Sequence, residues 1–166
     1  MKRVFGRMGA ALLLTMALVL SLAGMHSQAQ PKGPKYLTVE ATPPKMAPVG
    51  KPLTILVVLT IADKYHLQGH DAKDPYIPTV VTVGQTKGFK PGKTVYPASV
   101  VKEFTGEKLP VYEKKILIKV PVTPDATVKP GKYTLPITVS YQGCNEQSCY
   151  PPTKTTVQVD VNVTAK

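Results

Sequence analysis

Apolar side chains recur at every second position through four long stretches of this chain, and beyond residue 30 no stretch keeps a helical period. Leu53, Ile55, Val57, Leu59 and Ile61 alternate with Thr54, Leu56, Val58 and Thr60. Two of those intervening residues are apolar as well, so this strand is expected to be buried on both faces or nearly so. Ile116, Ile118, Val120 and Val122 alternate with Lys115, Leu117, Lys119 and Pro121. Tyr133, Leu135, Ile137, Val139 and Tyr141 alternate with Thr134, Pro136, Thr138, Ser140 and Gln142. Val157, Val159, Val161 and Val163 alternate with Gln158, Asp160 and Asn162, so the last two strands each have one inward face. Weaker strands are predicted near 36–41, 77–83 and 95–101. The chain's 17 prolines suit strand edges and turns. Seven or eight short strands at this spacing predict an all-β fold, an immunoglobulin-like antiparallel β-sandwich. The chain has no tryptophan, and its two cysteines are close in sequence instead of spread over two sheets. An antibody-type domain is therefore excluded.

The first 29 residues follow a different pattern. Lys2, Arg3 and Arg7 form a basic region, and Gly9 to Ala23 is an uncharged, mostly apolar run. Ser27-Gln28-Ala29 fits a small-x-small cleavage site, with Ser21-Leu22-Ala23 an earlier alternative. The run is shorter than the roughly 20 apolar residues a spanning helix needs. Met25 stands where a lipidated cysteine would follow Leu22-Ala23-Gly24, so no lipid anchor is expected. The expected organisation is a signal peptide over 1–29, a flexible Pro/Gly/Lys tail over 30–35 and one sandwich domain over 36–166. No second long apolar stretch follows, so no stable membrane insertion is expected after cleavage. Export removes the chain from the reducing cytosol and permits a disulfide.

From Gln30 onward the chain carries 18 lysines, no arginine and 10 acids, a net charge of +8. Recognition of bases and phosphates favours arginine's planar fork, and the lysines are scattered. They read as a solvated surface, and no nucleic-acid partner is expected.

Cys144 and Cys149, with four residues between them, sit between two strand-like segments, at one hairpin tip where the sulfurs can reach each other. Direct pairing of the two imposes a register that can be checked. It would place Ile137 opposite Thr156 and Val139 opposite Lys154, which turns the inward faces of the last two strands against each other. A one-residue slip flips a strand's faces, so a bulge or break is expected at Gly143 or at Pro151-Pro152. Two chemistries remain open at this point. The pair is a structural staple, stabilising by about 2 kcal/mol for so short a loop, or it cycles between dithiol and disulfide with partner proteins.

The run Tyr141-Gln142-Gly143-Cys144, followed by Cys149-Tyr150-Pro151-Pro152, resembles the N-terminal periplasmic domain of the DsbD thiol:disulfide interchange family. Asp63-Lys64-Tyr65-His66-Leu67, Ile77-Pro78-Thr79, Glu103-Phe104-Thr105-Gly106-Glu107 and Val111-Tyr112 fall in that family's order, so the resemblance covers roughly residues 36–163. It implies a periplasmic thiol–disulfide oxidoreductase component, passing electrons through Cys144 and Cys149 to or from thioredoxin-like proteins. It further implies that Cys149 exchanges with the partner and Cys144 resolves the mixed disulfide. Phe104 becomes the shield over the pair, Tyr65 and Tyr150 aromatic neighbours, and Glu103 an acidic neighbour. Lys102 stands where some members have an acid and would favour the thiolate. The chain contains no membrane-embedded or thioredoxin-like segment, so the electron donor is expected to be a separate membrane protein. The alternative is a non-catalytic secreted binding domain whose disulfide is structural.

His66 and His70, with Met46 and the cysteines, offer soft sulfur and imidazole donors of the kind that suit copper or zinc. No spacing ties these histidines to the cysteines, and neither a metal nor another cofactor is expected. Val83-Gly84-Gln85 and Lys90-Pro91-Gly92-Lys93 read as turns, so no phosphate-binding loop is present.

Overall fold

The computed structural model describes residues 36–104 and 106–165, and the signal peptide, the tail and the cleavage site expected from the sequence lie outside the described residues. Twelve strands follow one another: β1 (Leu37–Thr42), β2 (Ala47–Pro48), β3 (Leu53–Ile61), β4 (His66–Gln68), β5 (Val80–Val83), β6 (Phe89–Pro91), β7 (Val100–Phe104), β8 (Glu107–Tyr112), β9 (Lys115–Pro124), β10 (Gly131–Tyr141), β11 (Gly143–Cys144) and β12 (Thr153–Thr164). They form three four-stranded sheets, ordered β1-β3-β9-β6, β2-β12-β10-β5 and β11-β4-β8-β7. No helix among the described residues is long and apolar enough to cross a membrane.

The first two sheets make the sandwich. Their inward positions are the alternating aliphatic residues. Ile55, Val57 and Leu59 of β3 and Ile118, Val120 and Val122 of β9 are fully buried, as are Leu135, Ile137 and Val139 of β10 and Val161 of β12. Each such side chain contributes about 1.5–3 kcal/mol by leaving water. All pairings are antiparallel except a two-residue parallel match of Val163 with Ala47 and Thr164 with Pro48. The expectation that β3 is covered on both faces is overturned. Thr54, Leu56 and Thr60 are exposed, and Leu56 is 38% accessible. Among the described residues the outer face of this sheet is left largely uncovered, so Leu56 remains wet, as does Leu117 of β9, while Val58 is half-buried.

The third sheet is smaller and sits where β10 ends. β10 and β12 pair with Ile137 opposite Val157 and Tyr141 opposite Thr153, which aligns their inward faces. Cys144 and Cys149 form an isolated bridge in a register shifted by one residue. The expected break therefore lies between them, with two residues on the outgoing side (Gln142, Gly143) and three on the returning side (Tyr150, Pro151, Pro152). Gln142 leaves the sandwich, and its carbonyl accepts the backbone N–H of Gln68 at 3.0 Å. Gly143 and Cys144 then pair with Leu67 and His66 of β4. The chain thus crosses from one sheet to another immediately before the first cysteine. The crossing also explains Gly143: a Cβ there would come within 2.3–2.5 Å of the Tyr36 ring.

Candidate functional site

Cys144 and Cys149 are joined as a disulfide with Cα atoms 4.0 Å apart. Their surroundings differ sharply. Cys144, on a strand bonded to β4, is 1% accessible, whereas Cys149 is exposed at the return of the loop. The loop between them is organised by Asn145. Its Oδ1 accepts the backbone N–H groups of Gln147 at 2.9 Å and Ser148 at 2.8 Å, and its own N–H donates to the Ser148 carbonyl at 3.0 Å. This is the local turn that asparagine favours. On the return side, the Tyr150 N–H donates to the Gly143 carbonyl at 2.8 Å, and the Gln142 Nε2 donates to the Tyr150 carbonyl at 3.3 Å. The loop geometry is therefore fixed by hydrogen bonds as well as by the sulfurs.

A cavity of about 200 Å³ opens beside the pair, lined by both cysteines together with His66, Tyr76, Phe104 and Leu109 and by the loop residues. Phe104 reaches it from the end of β7. It pairs with Glu107 across the hairpin, and Gly106 in the connecting turn takes φ +87°, a conformation that glycine adopts without Cβ strain. The Tyr76 hydroxyl donates to Glu107 Oε2 at 2.7 Å and ties the returning strand down. The half-buried Phe104 ring stacks on His66, with centroids 4.3 Å apart and planes 20° apart. His66 is buried on β4, and burial lowers its pKa below the usual histidine value, with Lys102 adding to this and Glu113 opposing it. The imidazole against Phe104 is thus a neutral ring at neutral pH, an apolar partner for the phenyl group.

The tyrosines stand on the flank of the loop. Tyr65 and Tyr150 stack on Tyr36 with centroids 5.0 and 5.3 Å away, and Asn145 Nδ2 donates to the Tyr150 hydroxyl at 3.3 Å. Burial pushes the Tyr36 phenol up to about 12, helped by the neighbouring Tyr141, Tyr150 and Tyr65. Tyr36 therefore stays neutral beneath the site.

Two residues singled out in the sequence are not brought to the sulfurs. Glu103 is exposed and does not line the cavity, because it alternates with Phe104 and takes the other face of β7. Lys102 places its Nζ 2.6 Å from Glu113 Oε1 and does not line the cavity beside the pair. His66 and His70 part company as well. His66 packs on Phe104, whereas His70 bonds through Nδ1 to the Tyr112 hydroxyl at 2.6 Å and stacks on Tyr96. Among the described residues no group of three His, Cys, Asp or Glu side chains is arranged to hold a metal. Sequence reasoning missed Gln68, whose buried amide donates to Cys144 Sγ at 3.4 Å and Cys149 Sγ at 3.9 Å.

Comparison with curated protein sequences finds no match. Among solved structures, the N-terminal periplasmic domain of ScsB from Proteus mirabilis superposes with a TM-score of 0.56 at 12% identity, over 81% of this chain and 49% of that one. That likeness supports the sandwich fold. The reduced DsbD N-terminal domain of Neisseria meningitidis matches with a TM-score of 0.49 and 20% identity, over 77% of this chain and 87% of that one. The structure of the complex between the DsbD and PilB N-terminal domains of Neisseria meningitidis matches with a TM-score of 0.48 and 19% identity, over 80% and 87%. The family model of the thiol:disulfide interchange protein DsbD, N-terminal, matches residues 34–161, a span that holds both cysteines, Phe104 and all of the β4–β11 pairing. The chain belongs to the DsbD N-terminal family of thiol:disulfide interchange proteins.

Proposed function

We propose that this chain is an exported, periplasmic electron carrier in which Cys149 exchanges with partner proteins and Cys144 resolves the mixed disulfide. The observation that carries the assignment of roles is the unequal burial of the two cysteines joined in one bridge. Exchange proceeds by in-line attack of a thiolate on a sulfur, so the cysteine on the exposed side of the loop is the one that meets the partner. In the reduced protein the Cys149 thiolate attacks a partner disulfide, forms a Cys149–partner bond and expels the partner's second sulfur as a thiolate. The Cys144 thiolate then attacks Cys149 Sγ, which reforms the internal bridge and releases the partner's other sulfur. Two electrons and two protons have moved from this chain to the partner, and the same steps in reverse recharge it from an electron donor.

Phe104 is the group that limits this chemistry to proteins that can displace it. Its ring is held by stacking on neutral His66, so a docking partner that offers apolar contacts can exchange for that stack. The partners proposed are thioredoxin-like proteins, with a separate membrane protein as electron donor. A leader over residues 1–29 and a tail over 30–35 complete the proposed organisation.

A cysteine trap tests this reading. Cys144→Ser leaves Cys149 as the single thiol, and it is expected to hold a thioredoxin-like protein that keeps only its exposed cysteine, activated with a small aromatic thiol that departs as the leaving group, as a stable mixed disulfide. Cys149→Ser, which leaves only buried Cys144, is expected to capture at least tenfold less. If neither variant captures a partner, and the bridge of the unaltered protein resists excess dithiol, the bridge is a staple and the electron-carrier reading fails.

A further inference from the structure

Gln68 lies at the end of β4 and is fully buried. Its backbone is clamped from three directions. The N–H donates to the Gln142 carbonyl at 3.0 Å, the carbonyl accepts the Thr79 hydroxyl at 2.6 Å, and the residue pairs with Val111 of β8. This clamp fixes where the side chain starts. The amide Nε2 then points at the cysteine pair, 3.4 Å from Cys144 Sγ and 3.9 Å from Cys149 Sγ, while Oε1 is buried and has no hydrogen-bond partner among the described residues. The opposite orientation of the amide would aim carbonyl lone pairs at sulfur lone pairs.

As a feature of the disulfide state alone, this arrangement is costly. Burying an amide without good partners is unfavourable, and a disulfide sulfur is a weak acceptor. An aliphatic side chain of the same size would fill the space without that penalty. The amide becomes useful when the bridge opens, because a thiolate accepts a charge-assisted hydrogen bond roughly twice as strong as a neutral one. Cys144 is the sulfur nearer to Nε2 and the one shut away from water, so it most needs a protein donor for its charge.

We propose that the Gln68 side-chain amide is a third catalytic group, a hydrogen-bond donor that stabilises Cys144 Sγ as a thiolate whenever the Cys144–Cys149 bond is broken. This rests on the role of Cys144 as the resolving sulfur. When an attacking thiolate bonds to Cys149 Sγ, the S–S bond breaks and its electron pair leaves on Cys144 Sγ, onto which the amide N–H is already directed. In the reverse direction the same bond holds Cys144 deprotonated and aimed at Cys149. Gln68 thus favours the reduced form of the pair and makes the bridge easier to open.

The other titratable groups at the cavity are His66 on β4, Tyr76 ahead of β5 and Glu146 in the loop. Glu107 is engaged by Tyr76, and Glu113 and Lys102 act on His66. All of them remain in place when only residue 68 is changed, so the effect of the amide can be isolated.

The experiment uses Cys149→Ser, in which Cys144 is the single thiol, and follows thiolate absorbance at 240 nm against pH. Gln68→Met keeps the length and removes the donors, and it is expected to raise the Cys144 pKa by roughly one unit, or tenfold less thiolate. Gln68→Glu is expected to raise it further. With both cysteines present, Gln68→Met is expected to make the pair roughly tenfold harder to reduce, a shift of about 30 mV to more negative potential. An unchanged titration and potential in folded Gln68→Met overturn the proposal. Should the variants not fold, the ¹⁵N side-chain amide signal of Gln68 in Cys149→Ser decides, because it must shift along the Cys144 titration, and a signal that stays still overturns the proposal. Failure of the carrier reading shows separately, as an unaltered protein that no dithiol reduces and no partner engages.

Discussion

The sandwich and the small sheet β11-β4-β8-β7 are built from different materials. In the sandwich, strands of 9 to 12 residues (β3, β9, β10, β12) bury rows of valine, isoleucine and leucine, and the one buried polar side chain on those four strands is Tyr141 at the end of β10. In the small sheet, strands of 2 to 6 residues bury His66, Gln68, Cys144 and Tyr112 beside Leu67 and Val111. The first region supplies stability through area removed from water. The second holds polar and reactive groups that lower that gain, and it is held in position by the first. The chain passes between the two regions several times, from β3 to β4 and from β8 to β9 as well as through Gln142–Gly143, but their buried residues differ in kind, so stability and exchange are expected to respond to different substitutions.

The largest effect should come from the scaffold. Ile137→Ala removes a fully buried side chain at the centre of β10 and is expected to cost about 2–5 kcal/mol in urea unfolding. At temperatures where the variant is still folded, its rate of exchange with a dithiol should match that of the unaltered protein. A large change in that rate, with the fold retained, would show that the two regions are not separable.

Next comes the crossing itself. Gly143→Ala forces a Cβ to 2.3–2.5 Å from the Tyr36 ring, which is buried and packed against both Tyr65 and Tyr150 and so has little room to move. Overpacking of this kind costs about 1–3 kcal/mol. Unlike Ile137→Ala, it should also disturb exchange, because Gly143 sets the position of Cys144 and bonds to Tyr150. Measuring unfolding and dithiol reduction together on this one variant tests whether the crossing couples scaffold and site. A loss of stability with no change in reduction would place Gly143 with the scaffold alone.

How much of this could be read beforehand follows the same division. β3 was legible residue by residue, and β9, β10 and β12 nearly so, because period-two patterns over many residues are unambiguous. The register break was legible too, since the inward residues of β10 and β12 have a parity that conflicts with the cysteine pair. β2, β4, β6 and β11, at two or three residues each, are too short for any period to register. β8 carries Pro110 within its six residues, and its pairing with β7 and β4 is a matter of tertiary context. Phe104 was legible only through the family resemblance. Gln68 was not legible at all, because its sulfur partners lie 76 and 81 residues further along and a lone glutamine in a strand carries no signal. Burial of β3 was overestimated because apolar outward residues do not reveal whether anything covers them.

A smaller effect on stability is expected at the cap. Phe104→Ala truncates a half-buried ring at a hairpin tip and should cost less than the roughly 3–5 kcal/mol of a core phenylalanine. Its effect on access should be larger than that of any scaffold change. In the reduced protein, alkylation of Cys149 by a small reagent is expected to speed up several-fold, while Ile137→Ala leaves that rate unchanged under native conditions. Equal alkylation rates with and without the ring would mean that Phe104 does not cover the sulfur.

The smallest effect is one of pH, and it belongs to the small sheet alone. Burial lowers the His66 pKa below its usual 6.5, with Lys102 assisting and Glu113 opposing. Between the lowered folded value and 6.5, the unfolded chain binds a proton at His66 that the folded chain does not. Unfolding free energy must therefore rise with pH through that window, be complete above about 6.5 and decline as the pH falls. The same protonation would place a charge beneath the Phe104 ring and against the cysteine pair, so the cap should loosen before the sandwich does. Urea unfolding at pH 7.5 and 5.5, with and without His66→Gln, isolates the contribution: the decline should be shallower in the variant, because the glutamine does not titrate. Native-state hydrogen exchange at the lower pH should locate the loosening at β4, β7 and β8 and leave β3 and β10 protected. Equal pH dependence in the two proteins would remove His66 from the account, and uniform loss of protection across all three sheets would show that the small sheet does not open on its own.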